Sequence, residues 1–267
     1  MSSRWKRVLR GYLARSRLAL VPVVVRGGIA KGARWTLFPY TSYWRGVGEQ
    51  DVASAISRLG IRQGENCWDL GAHFGIYTVG LARRVGPSGI VASFEPDPVA
   101  HSRCARHVEM NALKNVRLFR AGAGDIAVQG TLIVSAGLGE PQSHLRFDDE
   151  PAPAGERTIP IPLVRLDSLV EVGTIPRPRF IKIDIEGYGA KALSGARNTI
   201  KDSQPAIVMS FHSLPELNGS REVLEPLGYR VFDLTGEESC WEQAIFETRL
   251  LLPSAWKSSA LDERRTR

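Results

Sequence analysis

From Glu49 onward the chain alternates between two kinds of hydrophobic pattern. Short apolar runs are separated by longer stretches in which apolar residues recur at helical spacing. Gln50 to Leu59 puts Val52, Ala53, Ile56 and Leu59 on one side of a helix, with Gly60 as its stop. Strands are expected at Asn66–Leu70, Ile90–Phe94, Val116–Arg120, Phe180–Ile185 and Ala206–Met209. Helices are expected at Ile76–Val85, at Val99–Ala112, from beyond Ile185 to about Ile200, and at Pro215–Leu227. Two further strands, near Tyr229–Leu234 and Ala244–Leu252, lie close enough in sequence for a C-terminal antiparallel hairpin. Thr131 to Val164 breaks the alternation and reads as an inserted β-hairpin around the acidic, proline-rich loop FDDEPAPAGE. The pattern predicts a doubly wound α/β sheet carrying these two hairpins. The expected organisation is a basic N-terminal arm over 1–48, one α/β domain over 49–252 and a tail over 253–267.

Composition narrows the class. Hydrophobic residues make up 43% and charged residues 24% of 267, ordinary for a soluble globular chain. The most apolar stretch, Leu18–Val25, contains Pro22 and is far too short to span a membrane. Arg15, Arg17 and Arg26 interrupt any signal-peptide core. The three cysteines, Cys67, Cys104 and Cys240, have neither metal nor redox spacing, so a reduced, cytoplasmic setting is expected. The net charge of +7 is unevenly placed, with ten Lys or Arg and no acid before Glu49. Trp5, Leu9, Tyr12, Leu13 and Leu18 are interleaved with these charges, which suits peripheral contact with an anionic membrane surface. The competing readings are a solvated tail and a lid over the site. Oligomeric state is not specified by any pattern.

The stretch CWDLGAHFGIYTVGLARRVG carries the candidate chemistry. A strand ends at Asp69-Leu70-Gly71, and Gly75 opens a helix. In open α/β sheets ligands bind beyond the carboxyl ends of the strands, where the strand order reverses. A dinucleotide fingerprint needs a glycine where a pyrophosphate approaches, and this chain has Ala72-His73 there. The D-x-G-x-x-x-G form suits S-adenosylmethionine, which has no phosphate. In VASFEPDP the next strand ends at Glu95, whose carboxylate can accept both ribose hydroxyls, with Pro96 stiffening the turn beneath the adenine. Asp69 is expected to hold the cofactor's amino group directly or through water. The expected cofactor loop is therefore Asp69, Gly71, Ala72, His73, Gly75 and Tyr77, with Glu95 and Pro96 beside it.

With these residues in view, the chain resembles the FkbM-type S-adenosylmethionine-dependent methyltransferases. The matching segments are GVGEQDVASAI, WDLGAHFGIYTVGLA, VASFEPDPVAHSRCARHVEMNAL, NVRLFRAGAGD, VRLDSLV and FIKIDIEGYGAKALSGA, in that order. The resemblance implies a Rossmann-like class I methyltransferase fold and methylation of a hydroxyl on a small molecule, a sugar or secondary metabolite. It also implies Asp125 near the adenine, and Asp184 and Glu186 at the end of the fourth core strand, facing the transferred methyl. The chain departs from the family pattern at His73, commonly Asn, and at Gly189 and Lys191, commonly acids. It also has Ser210-Phe211-His212 where Glu-x-His is common, so His212 is kept and a carboxylate is lost.

An alcohol acceptor must lose a proton, so a base near the methyl helps. Asp184, Glu186 and His212 are the candidate catalytic groups, with helix capping the alternative for the two acids and solvation the alternative for His212. Lys182 reads either as a group approaching the substrate or as a snorkelling edge residue. His144 falls in the inserted hairpin, and His101 and His107 read as exposed positions on the helix after Glu95. Too few hard oxygen ligands remain beside Asp184 for a divalent metal, and none is expected. A nucleic-acid methyltransferase is disfavoured because DIEG stands where a base-stacking N-P-P-Y-like motif would be needed. A non-catalytic nucleoside-binding module is the remaining alternative, kept open by the acids missing at 189, 191 and 210.

Overall fold

The computed structural model describes residues 21–37, 43–46, 49–134, 143–146 and 157–256. The elements in chain order are β1 (Pro22–Val24), β2 (Arg34–Thr36), α1 (Gln50–Arg58), β3 (Cys67–Leu70), α2 (Ile76–Val85), β4 (Val91–Phe94) and α3 (Pro98–Met110). They continue with β5 (Val116–Phe119), β6 (Gly122–Gly124), β7 (Gln129–Val134), β8 (Ser143–Arg146), β9 (Arg157–Arg165) and α4 (Leu166–Glu171). The remainder are β10 (Phe180–Ile183), α5 (Gly189–Gly195), α6 (Arg197–Ser203), β11 (Ala206–Ser210), α7 (Leu214–Leu224), β12 (Tyr229–Phe232), β13 (Glu238–Ser239) and β14 (Thr248–Pro253).

The main sheet has the order β13-β12-β14-β11-β10-β3-β4-β5. From β5 to β11 neighbouring strands are parallel, and β14 runs antiparallel between β11 and β12. The parallel strands are buried on both faces, which is why they read as continuous apolar runs. On one face Trp68, Leu70, Phe94, Ile181 and Ile183 join the core, and on the other Cys67, Val91, Phe180 and Val208. The strand order reverses between β3 and β10, which opens a crevice at their carboxyl ends. This is the doubly wound methyltransferase-type sheet, and its last strands form the antiparallel pair expected from the sequence, with β13 added at the edge.

Four expectations are corrected. The inserted segment is more than a hairpin: β8, β7 and β9 are antiparallel neighbours, and β9 also pairs in parallel with β6 in a separate four-stranded sheet. The loop FDDEPAPAGE lies outside the described residues. The single helix expected up to Ile200 is two, because the buried Asp167 carboxylate accepts from Asn198 N, Thr199 N and Thr199 Oγ1 and starts a new helix at Arg197. Of the two readings of Lys182, the snorkelling edge residue is the one corrected: Lys182 lies on β10 in mid-sheet, in register with Asp69.

The fourth correction concerns His107, expected to be exposed. His107 is buried, stacked on Trp35 at a centroid distance of 3.5 Å. Its Nδ1 lies 2.8 Å from the Phe74 carbonyl oxygen and its Nε2 2.7 Å from Thr36 Oγ1. Burial lowers its pKa to about 4, so it is neutral and donates from Nδ1 to the carbonyl. Trp35, Val25, Ala30 and Ala33 form a core with Phe74, Val79 and Ala100 of the domain. This packing includes residues that precede the expected boundary at 48/49; residues 1–20 lie outside the description. No helix among the described residues is long and apolar enough to cross a membrane.

Candidate active site

A cavity of about 220 Å3 opens at the sheet's reversal point, lined by Gly71, Ala72, His73 and Tyr77 after β3, Glu95 and Asp97 after β4, and Lys182, Asp184 and Glu186 after β10, with Tyr43 and Glu49 closing the N-terminal side. Backbone geometry builds the half after β3 and β4. Gly71 and Gly75 have φ of 84° and 88°, a region other residues avoid. A Cβ on Gly71 would overlap the Asp184 carbonyl oxygen, and one on Gly75 would press on Cys104 Sγ. The close approach these glycines allow is therefore to neighbouring chain segments as well as to the cavity. His73 also has positive φ, 50°, which turns its N–H toward Glu95.

Glu95 Oε2 accepts from His73 N at 2.6 Å, and Oε1 accepts from Asp97 N at 2.9 Å. Asp97 in turn caps α3 through Val99 N and Ala100 N. Burial raises the Glu95 pKa to about 7, although the two backbone donors favour its charge. The His73 ring stacks on Phe74, its Nδ1 lies 3.2 Å from Tyr43 Oη, and its Nε2 is buried without a partner among the described residues. Burial and Lys182 lower its pKa to about 4, so it is neutral. Tyr77 lines the cavity and donates its hydroxyl to Glu49 at 2.6 Å.

Four expected cofactor residues stand back from this lining, Gly75 at the start of α2 among them. Asp69 is fully buried beneath it: Oδ2 accepts from Thr78 Oγ1 at 2.6 Å, and Oδ1 has no partner among the described residues. Pro96 is half-buried in the turn before Asp97. Asp125 accepts from Lys191 Nζ at 2.7 Å, in an exposed ion pair.

Side chains build the half of the cavity after β10. Lys182 is buried with its Nζ 3.2 Å from Asp184 Oδ2 and 4.9 Å from the centre of the Tyr77 ring. His212 Nε2 lies 3.1 Å from Asp184 Oδ1, and its Nδ1 is 3.7 Å from Glu186 Oε2. His212 is 28% exposed and adjoins the cavity through these two acids, without lining it. Burial opposes a charge on Asp184, but Lys182 and His212 outweigh it and hold its carboxyl well below the usual range. Burial likewise opposes a charge on Lys182, and Asp184, Asp69 and Glu49 overcome it and raise its pKa. The hydrogen bond that Asp184 accepts from it raises the His212 pKa above its ordinary value. Ser210 Oγ lies 2.9 Å from Thr248 Oγ1, turned to β14.

The fold thus gathers Lys182, Asp184, Glu186 and His212 at one edge, opposite Glu95. Sequence reasoning missed Tyr43, which falls in the arm, Glu49, the first residue of the expected domain, and Glu216, which bonds the backbone around His212. Only the family match of GVGEQDVASAI hinted at Glu49. A larger depression, about 540 Å3, lies at the opposite edge of the sheet, lined by Arg117, Asp167, Glu171, Arg177 and Asp202 among others. It lacks histidine, and its buried acid is spent on the start of α6, so the smaller cavity is the better site.

The residues fit a nucleoside with an aminoacyl-like tail. Glu95 is an acceptor at the end of β4, Asp69 Oδ1 is a buried acceptor without a partner, and no anion-binding glycine stands at 73. Among the described residues no cluster of three or more His, Cys, Asp or Glu side chains is arranged to hold a metal ion.

The sequence profile of the FkbM methyltransferase domain matches residues 69–231, more than half the chain. A curated relative, the hexuronic acid methyltransferase AglP of Haloferax volcanii, is 25% identical over 219 residues, covering 77% of this chain and 81% of that protein. Among solved structures, methyltransferase FkbM from Methylobacillus flagellatus KT aligns with TM-score 0.45 at 21% identity, over 70% of this chain and 43% of that one. Aeropyrum pernix fibrillarin aligns with TM-score 0.44 at 12% identity, over 75% of this chain and 73% of that one. The domain match, together with the order of the sheet and the loop at its reversal point, makes this chain a member of the FkbM methyltransferase family, an enzyme that uses S-adenosylmethionine.

Proposed function

We propose that the enzyme methylates a hydroxyl of a sugar-like small molecule, with His212 as the base that takes the hydroxyl proton. The observation that carries this is the chain Lys182–Asp184–His212 at the cavity's rim. Hexuronic acid methylation by a relative that aligns over most of both chains supports the sugar-like acceptor.

When bound, S-adenosylmethionine supplies a methyl group on a good leaving group, so the protein's task is alignment, exclusion of water and management of one proton. Glu95 offers acceptors to ribose hydroxyls, and Asp69 and Thr78 make a polar floor. His73, neutral and packed on Phe74, walls the cavity without adding charge. Asp184, held ionised by Lys182, accepts from His212 Nε2–H and so fixes the tautomer that leaves Nδ1 as the proton acceptor. The negative Asp184 also stabilises the imidazolium once the proton is taken. Glu186, half exposed near Nδ1, can accept from a neighbouring hydroxyl of the acceptor. The Lys182 ammonium already balances Asp184, which leaves that carboxylate a poor ligand for a second cation.

The test is incubation of the full-length protein with labelled cofactor and three pools: uronic-acid glycans, neutral glycans and RNA. Label in a glycan pool, with a product stable to mild alkali, is the expected result, because ethers survive and carboxyl esters are cleaved. An alkali-labile product, or label in RNA alone, would overturn the hydroxyl reading.

A further inference from the structure

We propose that Glu216 is a positioning residue for His212, a carboxylate brought from α7 into space that Gly189 leaves open. This inference rests on the reading of His212 as the base. Glu216 is buried, and its two oxygens serve two segments: Oε1 accepts from Gly189 N and Oε2 from His212 N, each at 2.8 Å. Ser213, the residue after His212, closes the loop by accepting from Glu216 N through its Oγ at 3.3 Å. One buried carboxylate thus ties the loop after β11 to the start of α5, the helix that follows the Asp184–Glu186 turn. That is the span across which His212 must meet Asp184.

Gly189 is the other half of the arrangement. A Cβ there would come 2.7 Å from Glu216 Oε1 and would also press on Met209 Cε. A side chain at 189 would therefore displace the carboxylate that α7 brings against that position. The charged groups facing His212 are Asp184 and Glu186 from the loop after β10 and Glu216 from α7, with Lys182 behind Asp184. All three acids favour the imidazolium, so the loss of Glu216 removes an electrostatic contribution along with the anchor. Glu216 touches neither the cavity nor the reacting atoms, and it acts through His212.

The experiment compares Glu216→Gln, Glu216→Ala and Gly189→Ala with the parent enzyme. The readouts are the NMR titration of His212, assigned by its absence in His212→Gln, together with the pH–rate profile, KM and unfolding midpoint. Glu216→Gln keeps one acceptor oxygen and should be the milder change. Glu216→Ala should lower kcat by about 10–100-fold with KM and cofactor affinity nearly unchanged. Both should move the His212 titration, and the acid limb of the rate profile with it, to lower pH. Gly189→Ala should give the same shift with Glu216 intact. An unmoved His212 titration in all three folded variants would overturn the proposal, as would loss of fold in all three, which would make Glu216 purely structural. If His212→Gln is fully active, the base assignment fails, and the NMR shift still decides whether Glu216 positions His212.

Discussion

The two halves of the cavity hold their acids by different means. After β4, Glu95 is fixed by backbone N–H groups at His73 and Asp97, and Asp97 caps the helix that follows. The geometry belongs to two loops, and any chain with this turn reproduces it. After β10, Asp184 is fixed by side chains: Lys182 two residues before it and His212 twenty-eight residues after it, with Glu216 securing the loop of His212. A backbone cradle tolerates variation in surrounding side chains. A side-chain network fails when one member leaves, because a buried charge then stands without its partner. The cofactor half should therefore lose affinity when altered, and the acceptor half should lose turnover.

The sharpest break is Asp184→Asn. It removes the charge that holds the His212 tautomer and its imidazolium, and kcat should fall by about 10²–10⁴-fold. Cofactor affinity measured by calorimetry should change little. Residual turnover should show an acid limb at lower pH, because the carboxylate charge that raises the His212 pKa is gone. Unchanged kcat, or a loss confined to cofactor affinity, would erase the distinction between the halves.

Glu95→Ala should act the other way. Loss of a charge-assisted bidentate acceptor costs about 1.5–3 kcal/mol, or roughly 10–150-fold in cofactor affinity. A folded variant that binds normally would remove Glu95 from the cofactor half.

A pH series sharpens the same point. Burial puts the Glu95 pKa at about 7, above the ordinary carboxyl range, so the proton is on below that pH and off above it. The ionised form is the better acceptor of ribose hydroxyls. Cofactor affinity should therefore rise with pH up to about 7 and level off beyond it, with a slope of at most about tenfold per unit. Glu95→Gln should bind weakly and flatten this dependence. A flat profile in the parent enzyme would show Glu95 already ionised throughout.

The smallest expected effect is none. With Lys182 beside Asp184 and Ser210 turned to Thr248, chelator treatment should leave the rate unchanged. Loss of activity restored by magnesium would count against a proton relay without metal in the acceptor half.

Some of this architecture is legible in the chain alone. The runs ending in Leu70, Phe94 and Ile183, the glycines at 71 and 75, and the acid at 95 are local signals, and local signals survive reading one residue at a time. The parallel strands announced themselves because burial on both faces demands uninterrupted apolar residues. The positions of Asp184, Glu186 and His212 at strand ends were legible for the same reason, but their contacts with one another were not. Others were misread for want of neighbours. His107 looks like a solvated helical residue until Trp35 and Thr36 are packed on it, and the two readings of Lys182, substrate-facing or edge, separate only when β10 is placed in mid-sheet. Glu216 carries no signal at all: an acid in the first turn of a helix is common, and its reach to Gly189 and His212 exists only once α5, α7 and the loop after β11 converge. The sequence by itself determined the alternation of core strands and helices, the glycine turn after β3 and the residues at the strand ends, because periodicity and turn chemistry act over a few neighbouring residues. Only the tertiary structure decided which charges share an environment, because burial and Coulomb interaction depend on distance in space, and residues separated by tens of positions become neighbours only when the sheet assembles.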